Sequence, residues 1–207
     1  IATLGPIIHN PQMVQQLADE GITSVDSLDE ITEGTVIIRS HGVGPSIYQK
    51  AAQKGLNVID ATCPHVKKAQ MSAKSLAEEG YFVVIIGENA HPEVKSIFEW
   101  SGENAAVIED IDQAKCFKPV GKLGIVAQTT FSRIKFKQLA DILIDKSSEI
   151  KILRTICTAT EQRQTAAEKL AGEVDMMLVI GGKNSANTTR LADLCSQKCP
   201  THHIETA

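Results

Sequence analysis

The chain has 207 residues, 43% of them hydrophobic, and a formal net charge of −4. This composition is typical of a globular protein with one large domain or two small ones, and it argues against a disordered chain. Apolar runs have only the length of strands, the chain does not open on a charged and then apolar segment, and no basic stripe is present. We therefore expect a cytoplasmic protein that binds neither membranes nor nucleic acid.

Strand-like and helix-like segments alternate along the chain, which predicts parallel sheets joined by helices. First strands are predicted at 35–39, 81–86, 123–126 and 176–180, and the helices that follow them at 45–54, 92–100, 131–146 and 187–196. Closing strands are predicted at 57–62, 105–108 and 151–156, and a short segment at 203–204 closes the last unit. The polar loops then follow strand carboxyl ends, where open α/β sheets bind ligands.

Several helix starts are marked in the sequence. Proline follows the predicted cap residue in the pairs Asn10-Pro11, Gly44-Pro45, Cys63-Pro64 and His91-Pro92. Its fixed φ suits the first helical position, where a missing N–H costs nothing. Thr158 and Glu161 further predict an S/T-x-x-E capping box beside Cys157. Several helix N-termini are thus expected to converge on one anionic ligand.

Two of the five cysteines are predicted to bind a metal or an iron–sulfur cluster. Cys63 and Cys157 each follow an extended apolar segment and precede a helix start. Because a helix N-terminus favours an anion, both are predicted to be thiolates that face a soft metal or an iron–sulfur cluster. Cys116 in a loop, Cys195 in an amphipathic helix and Cys199 just beyond it are predicted to be incidental thiols. Two cysteines alone do not complete a cluster site.

Three histidines and one acid lie close to these helix starts. His9, His41 and His91 together predict an anion cradle, although each alone is typical of a helix cap. Glu93 lies in the first turn of the helix after His91, where it either favours the helix dipole or serves as a general acid. The local sequence leaves both readings open. The loop 182–187 brings two amides and a hydroxyl to a helix start but lacks the Walker A pattern.

Six motifs stand in order along nearly the whole chain. They lie at 4–11, 39–43, 60–64, 90–94, 128–130 and 182–191, and read LGPIIHNP, RSHGV, DATCP, AHPEV, QTT and GKNSANTTRL. Together they closely resemble the LytB family. The resemblance implies a trefoil of three parallel-sheet α/β lobes, at 1–62, 63–156 and 157–207, around a central [4Fe-4S] cluster, with the third lobe incomplete.

The resemblance also implies a reaction. This is the two-electron reductive dehydroxylation of (E)-4-hydroxy-3-methylbut-2-enyl diphosphate to isopentenyl and dimethylallyl diphosphate, the last step of the non-mevalonate isoprenoid pathway. The implied electron donor is ferredoxin or flavodoxin. Cys63 and Cys157 would be cluster ligands, with a third cysteine expected upstream of Ile1, so the chain is expected to be an interior fragment.

Individual roles are implied in the same way. Glu93 would deliver protons, and Thr129 would orient Glu93 and the substrate hydroxyl. The implied catalytic residues are Glu93, Thr129 and His91, and the implied substrate ligands are His9, His41, His91, Thr129, Ser185 and Asn187. Ala186 stands where many family members have a second serine, and a further diphosphate-binding serine is expected after Ala207.

Two other classes of function remain as alternatives. One is a zinc-dependent hydrolase acting on a phosphorylated small molecule, with a metal site built from one or two histidines and Cys63. The other is a phosphate-binding α/β module whose cysteines have no role. An iron–sulfur protein is brown and bleaches on reduction, whereas a zinc protein is colourless.

Overall fold

The computed structural model describes residues 1–8 and 10–205 of the chain. Contacts divide the chain into two compact units. The first comprises Ile1–Ile7 and Ile22–Ile156, and the second Ile8–Gly21 and Cys157–Ala207. His9, which was predicted to bind an anion, lies outside the described residues.

Helices and strands alternate throughout the described residues. The helices are α1 (Pro11–Asp19), α2 (Pro45–Gln53), α3 (Pro64–Glu78), α4 (Pro92–Ser101), α5 (Ile111–Cys116), α6 (Arg133–Ile144), α7 (Thr158–Ala171) and α8 (Ala186–Ser196). The strands are β1 (Ala2–Leu4), β2 (Thr23–Val25), β3 (Thr35–Ile38), β4 (Asn57–Asp60), β5 (Phe82–Ile86), β6 (Ala105–Ile108), β7 (Val120–Ala127), β8 (Ser147–Ile152), β9 (Met177–Ile180) and β10 (Thr201–Ile204).

The first unit contains two parallel sheets. Sheet A has the order β2-β1-β3-β4, and sheet B has the order β6-β5-β7-β8. All of their pairings are parallel. The α/β class with parallel sheets that the sequence predicts is therefore confirmed.

Sheet B is buried on both faces, which explains why its central strands are continuous apolar runs. Val84 and Ile86 of β5 lie in a core with residues of α5 and α6. Val83 and Ile85 point the other way, into a core with residues of α3 and α4. On that side Leu76 of α3 packs so close to β7 that a side chain at Gly124 would meet it at 2.9 Å.

The strand order of sheet B positions two loops side by side. Strands β5 and β7 are direct neighbours, with Ile86 in register with Ala127. Because both strands run the same way, the loop that leads from β5 to α4 lies next to the loop that leads from β7 to α6. The amide of Gln128, the first residue after β7, donates to the carbonyl of Ile86 at 2.9 Å.

The predicted helix starts are largely confirmed. Asn10, Gly44, Cys63 and His91 each cap a helix whose first residue is the proline that follows. The capping box at residues 158 and 161 was wrong, because Cys157 occupies the cap position and Thr158 is already inside α7. Cys116 was also misplaced, since it is the last residue of α5 and not part of a loop.

Two strands end earlier than the sequence predicts. Strand β4 stops at Asp60, whose carboxylate accepts the Thr62 N–H at 3.1 Å. Strand β8 ends at Ile152, although the Leu153 N–H still donates to the Ile125 carbonyl at 2.9 Å, and a side chain continues the pairing beyond it. The Thr155 hydroxyl accepts the Ala127 N–H at 2.8 Å and lies 2.6 Å from the Ala127 carbonyl.

The second unit is smaller. Its sheet consists of the parallel strands β9 and β10, and its core contains Ala171, Val179 and Cys195. The lobe boundaries predicted after residues 62 and 156 stay a prediction. Of the helices described, none has both the length and the apolar character needed to span a bilayer.

Replacing Leu76 by alanine should destabilise the first unit. Leu76 is 0% exposed between α3 and sheet B, so Leu76→Ala is expected to lower the free energy of unfolding by about 2–5 kcal/mol. Leu170→Ala is the matched control, because Leu170 also lies in a helix but is 48% exposed. Urea unfolding of both variants tests this, and equal losses for the two would contradict the packing described.

Candidate functional site

A buried acid lies where the loops after β5 and β7 meet. Glu93, in the first turn of α4, is 2% exposed, and Thr129, in the loop after β7, is 5% exposed. The Thr129 N–H donates to Glu93 Oε1 at 2.6 Å, and the Thr129 hydroxyl lies 2.9 Å from Glu93 Oε2. Both carboxyl oxygens therefore face one residue, which fixes the plane of the carboxyl group.

The protonation of Glu93 follows from this environment. Burial raises the pKa of Glu93 to about 7, because a charged carboxylate loses its hydration there. The hydrogen bonds from the Thr129 N–H and hydroxyl favour the ionised form and offset only part of this effect. A carboxyl group whose pKa lies near neutrality both holds and releases a proton under cellular conditions, as a general acid must.

Two histidine rings lie beside this acid. His91 caps α4, and its Nδ1 accepts the Glu93 N–H at 3.2 Å. A neutral His91 ring therefore carries its proton on Nε2, which is a donor. The His41 ring contacts the His91 ring edge-on, with 5.4 Å between the ring centroids. His41 lies in the turn after β3, so sheet A and sheet B each contribute one imidazole.

Cys63 is presented by a hydrogen-bonded turn. Asp60 accepts hydrogen bonds from the Thr62 N–H and hydroxyl, from the Tyr48 hydroxyl at 2.9 Å and from the Lys67 ammonium group at 3.1 Å. Burial alone would raise the pKa of Asp60, but these donors outweigh it and lower the pKa to about 2. The turn is therefore tied both to α2 and to the first turns of α3.

The two cysteines predicted as ligands share one local geometry. Cys63 is the cap residue of α3 and Cys157 is the cap residue of α7, and neither side chain caps its own helix. Both are free thiols. In contrast, Cys195 is 0% exposed in the core of the second unit, where burial raises the pKa of its thiol. Cys116 is exposed and Cys199 is half-buried beyond α8.

The remaining predicted ligands belong to the second unit. Ser185 caps α8, and its hydroxyl accepts the Thr188 N–H at 3.4 Å. That hydroxyl still has a proton to donate to an anion. Asn187 has a buried amide oxygen without a hydrogen-bond partner among the described residues. That oxygen is an acceptor, so only the Nδ2 group of the same amide could donate to an anion.

Four of the residues predicted from the sequence to form the site lie close together in the structure. Glu93, Thr129, His41 and His91 lie together in the first unit, as the hydrogen bonds and the ring contact show. Ser185 and Asn187 lie near the start of α8 in the second unit. Across the residues that the structure describes, no group of three or more His, Cys, Asp or Glu side chains is arranged to hold a single metal ion.

Sequence reasoning missed the buried amides around this site. Gln128 is 1% exposed, and its side chain joins the two loops, accepting the Glu88 N–H and donating to the Thr130 hydroxyl at 3.0 Å each. Its position directly before Thr129 was the available signal. Gln70 of α3, which is also fully buried, has no sequence feature that distinguishes it from a surface glutamine.

The one tryptophan of the chain also lies in α4. The Trp100 Nε1 donates to the carbonyl of Val43 at 2.9 Å, and its ring lies 6.2 Å from the ring of Tyr48. The ammonium groups of Lys67 and Lys74 lie 5.6 Å from the Trp100 ring centroid. These contacts connect α4 with α3 and with the segment that precedes α2.

Comparison with known proteins gives a consistent result. A sequence profile of the family described as LytB protein matches residues 1–207. The 4-hydroxy-3-methylbut-2-enyl diphosphate reductase of Pelobacter propionicus is 48% identical over 206 residues, covering 99% of this chain and 74% of that protein. The protein of the same name from Syntrophotalea carbinolica is 49% identical over 208 residues, covering 100% of this chain and 75% of that protein.

Solved structures are similar as well. One is (E)-4-hydroxy-3-methyl-but-2-enyl diphosphate reductase, described as the terminal enzyme of the non-mevalonate pathway. It matches with a TM-score of 0.75 at 43% identity, covering 100% of this chain and 75% of that chain. The E-1-hydroxy-2-methyl-but-2-enyl-4-diphosphate reductase of Plasmodium falciparum matches with a TM-score of 0.92 at 27% identity, covering 99% of this chain and 66% of that chain. This chain therefore has the fold of those enzymes.

The raised pKa of Glu93 predicts a pH-dependent stability. In the unfolded chain the carboxyl group ionises near pH 4.5, whereas in the folded chain it ionises near pH 7. Its contribution is therefore fully present below pH 4.5 and is lost as the pH rises through 7, by up to about 3 kcal/mol. Glu93→Gln lacks this loss, so its free energy of unfolding relative to the parent protein should increase between pH 5 and pH 8.

Urea unfolding at several pH values measures this difference, since all other titrating groups cancel between the two proteins. Thr129→Val is a useful control, because it removes a hydroxyl that favours the ionised carboxylate and should move the window to higher pH. A difference between Glu93→Gln and the parent that is independent of pH would show that Glu93 titrates normally.

Proposed function

The chain belongs to the LytB family, and from that premise we propose that it reduces (E)-4-hydroxy-3-methylbut-2-enyl diphosphate to isopentenyl and dimethylallyl diphosphate. In this reaction a carbon–oxygen bond breaks and the oxygen leaves as water. The balance requires two electrons and two protons, one for the leaving oxygen and one for carbon. The protein must therefore bind a diphosphate, admit electrons and supply protons where bulk water is excluded.

The observation that carries the proposal is the buried Glu93–Thr129 pair. A carboxyl group with a pKa of about 7, held by two hydrogen bonds, is suited to give up a proton during each reaction cycle. We assign anion binding to the neighbouring His41 and His91 rings, whose centroids lie 5.4 Å apart. In this assignment the proton donor and the anion would lie together, as reductive dehydroxylation of a diphosphate ester requires.

The hydrogen bonds also indicate which oxygen of Glu93 carries the proton. Oε1 accepts a backbone N–H and so stays an acceptor in both protonation states. Oε2 faces the Thr129 hydroxyl, which donates or accepts, so the acid proton belongs on Oε2. From there it passes to the leaving hydroxyl of the substrate, and the Thr129 hydroxyl orients both groups.

Diphosphate binding must overcome the net charge of the protein. The chain carries −4, but charges more than about 8–10 Å away are largely screened, so the groups close to the ligand decide. We assign the phosphate contacts to His41, His91, Ser185 and Asn187, and the N-terminus of α4 adds a favourable dipole. His9 stays a predicted ligand of the same kind.

The cysteines fit an iron–sulfur cluster. Cys63 and Cys157 lie at helix N-termini, and their side chains make no capping hydrogen bond. Cysteine thiolates are the usual ligands of such clusters. We propose that both bind a [4Fe-4S] cluster, and a third cysteine upstream of Ile1 stays a prediction. When bound, the cluster would supply single electrons and Lewis-acid chemistry. The Asp60 turn would hold Cys63 in place for this role.

The other classes of function find no support. The relatives reported above are reductases, which speaks against a zinc hydrolase and against a binding module without activity. Ferredoxin or flavodoxin as the electron donor and a cytoplasmic location stay part of the proposal.

The cluster assignment predicts a division among the cysteines. In full-length protein purified without oxygen, Cys63→Ser and Cys157→Ser should lose the iron–sulfur cluster, since each removes a thiolate ligand. Cys116→Ser, Cys195→Ser and Cys199→Ser should keep it. Iron and sulfide analysis together with the visible absorption spectrum measure this. A requirement for Cys195 or Cys199 would disprove the assignment.

The site predicts that turnover and binding can be separated. Glu93→Gln should abolish turnover of the allylic diphosphate and leave its binding largely intact, because the amide keeps the shape but has no acidic proton. His41→Ala should instead weaken binding about tenfold or more, since it removes a charge-assisted hydrogen bond. Single-turnover kinetics and calorimetric titration compare the two variants, and normal turnover by Glu93→Gln would place the proton donor elsewhere.

A further inference from the structure

A buried amide connects the helix that begins at Cys63 with the acid and histidine elements of the site. Gln70 of α3 is 0% exposed, and its Nε2 donates to the Ser96 hydroxyl of α4 at 3.0 Å. Its Oε1 is buried and has no hydrogen-bond partner among the described residues. Burying a polar atom in this way opposes folding, so the side chain is not explained by its own hydrogen bonding.

Ser96 is the centre of this connection. Its hydroxyl lies 2.8 Å from the carbonyl of Glu93 and 3.2 Å from the carbonyl of His41. One hydroxyl proton serves these two acceptors, while the oxygen accepts from Gln70. The Gln70 hydrogen bond therefore fixes the direction of the Ser96 hydroxyl, and through it the spacing between α4 and the His41 turn.

Gln70 also contacts the His41 turn directly. Gly42 has a φ of +67°, and a side chain there would collide with the Gln70 amide and with the methyl group of Thr62. The turn that carries His41 is therefore packed against both Gln70 and the segment before Cys63. A methionine at position 70 would fill similar space without the unpartnered oxygen, so stability alone favours an apolar residue here.

We propose that Gln70 is a positioning residue that, through Ser96, sets the His41 turn relative to the first turn of α4. The proposal rests on the proposed function, since His41 and His91 are taken to bind diphosphate and Glu93 to donate a proton. A small displacement of such groups reduces binding or rate strongly, because both depend on the spacing between donors and ligand.

The experiment uses the full-length protein with its cluster and the variants Gln70→Met and Ser96→Ala. Both should bind inorganic diphosphate about three- to tenfold more weakly in calorimetric titration, as expected for a misplaced hydrogen-bond donor. The melting temperature of Gln70→Met should stay the same or rise, whereas that of Ser96→Ala should fall, because the alanine leaves the buried Gln70 Nε2 without its acceptor. The double variant should be no weaker than the weaker single variant, because the two residues act through one connection.

Ser101→Ala is the matched control. Ser101 is a buried serine of the same helix whose hydroxyl donates to the Ile97 carbonyl at 2.9 Å. It should change neither the affinity for diphosphate nor turnover. Parent-like diphosphate binding by either Gln70→Met or Ser96→Ala would overturn the proposal. A larger fall in melting temperature for Gln70→Met than for Ser101→Ala would also overturn it, by giving the amide a structural role.

A second measurement separates this inference from the proposed function. The imidazole signals of His41 and His91 in an NMR spectrum of the same protein report their environment without any ligand. They should shift in Gln70→Met and Ser96→Ala but not in Ser101→Ala. If the parent protein did not bind diphosphate, the proposed anion site would fail, and unshifted imidazole signals would independently refute the positioning role.

Discussion

The hydrogen bonds between Glu93 and Thr129 are the interaction on which the rest of the site depends. They join the first turn of α4 to the loop after β7, which meet because β5 and β7 are neighbours in a parallel sheet. Removing the carboxyl group from water raises its pKa, and the Thr129 donors keep that group in a single orientation. A protonatable acid with a fixed direction is what a reductive dehydroxylation needs and what a water-exposed glutamate would not provide.

Buried polar groups support this pair from several sides. Gln128 joins the two loops of sheet B, whereas Gln70 and Ser96 join α3, α4 and the His41 turn. Each of these contacts is made by a buried polar side chain. Their concentration around one acid indicates that the first unit is organised for chemistry as well as for stability.

The helix starts could be predicted from the sequence, because each depends on interactions between residues that are close along the chain. A proline after a predicted cap residue depends only on local sequence, and the four pairs predicted in this way all begin helices. The capping box predicted at Thr158 was wrong, because the cap residue of α7 is Cys157 and not Thr158. The direct contact of Glu93 with Thr129 requires β7 to pair with β5, a long-range choice that periodicity does not encode. Gln70 was missed for the same reason, since its partners are distant in sequence.

The position of Trp100 has a spectroscopic consequence. It is the only tryptophan of these 207 residues, and it lies in α4, the helix of Glu93. Its indole N–H donates a hydrogen bond to the carbonyl of Val43, which is two residues beyond His41. Indole emission depends on the polarity and charge around the ring, and two ammonium groups lie 5.6 Å from it. Within this chain, tryptophan fluorescence therefore comes from a single reporter beside the histidine turn. Its emission maximum would record movement of that turn without any added label.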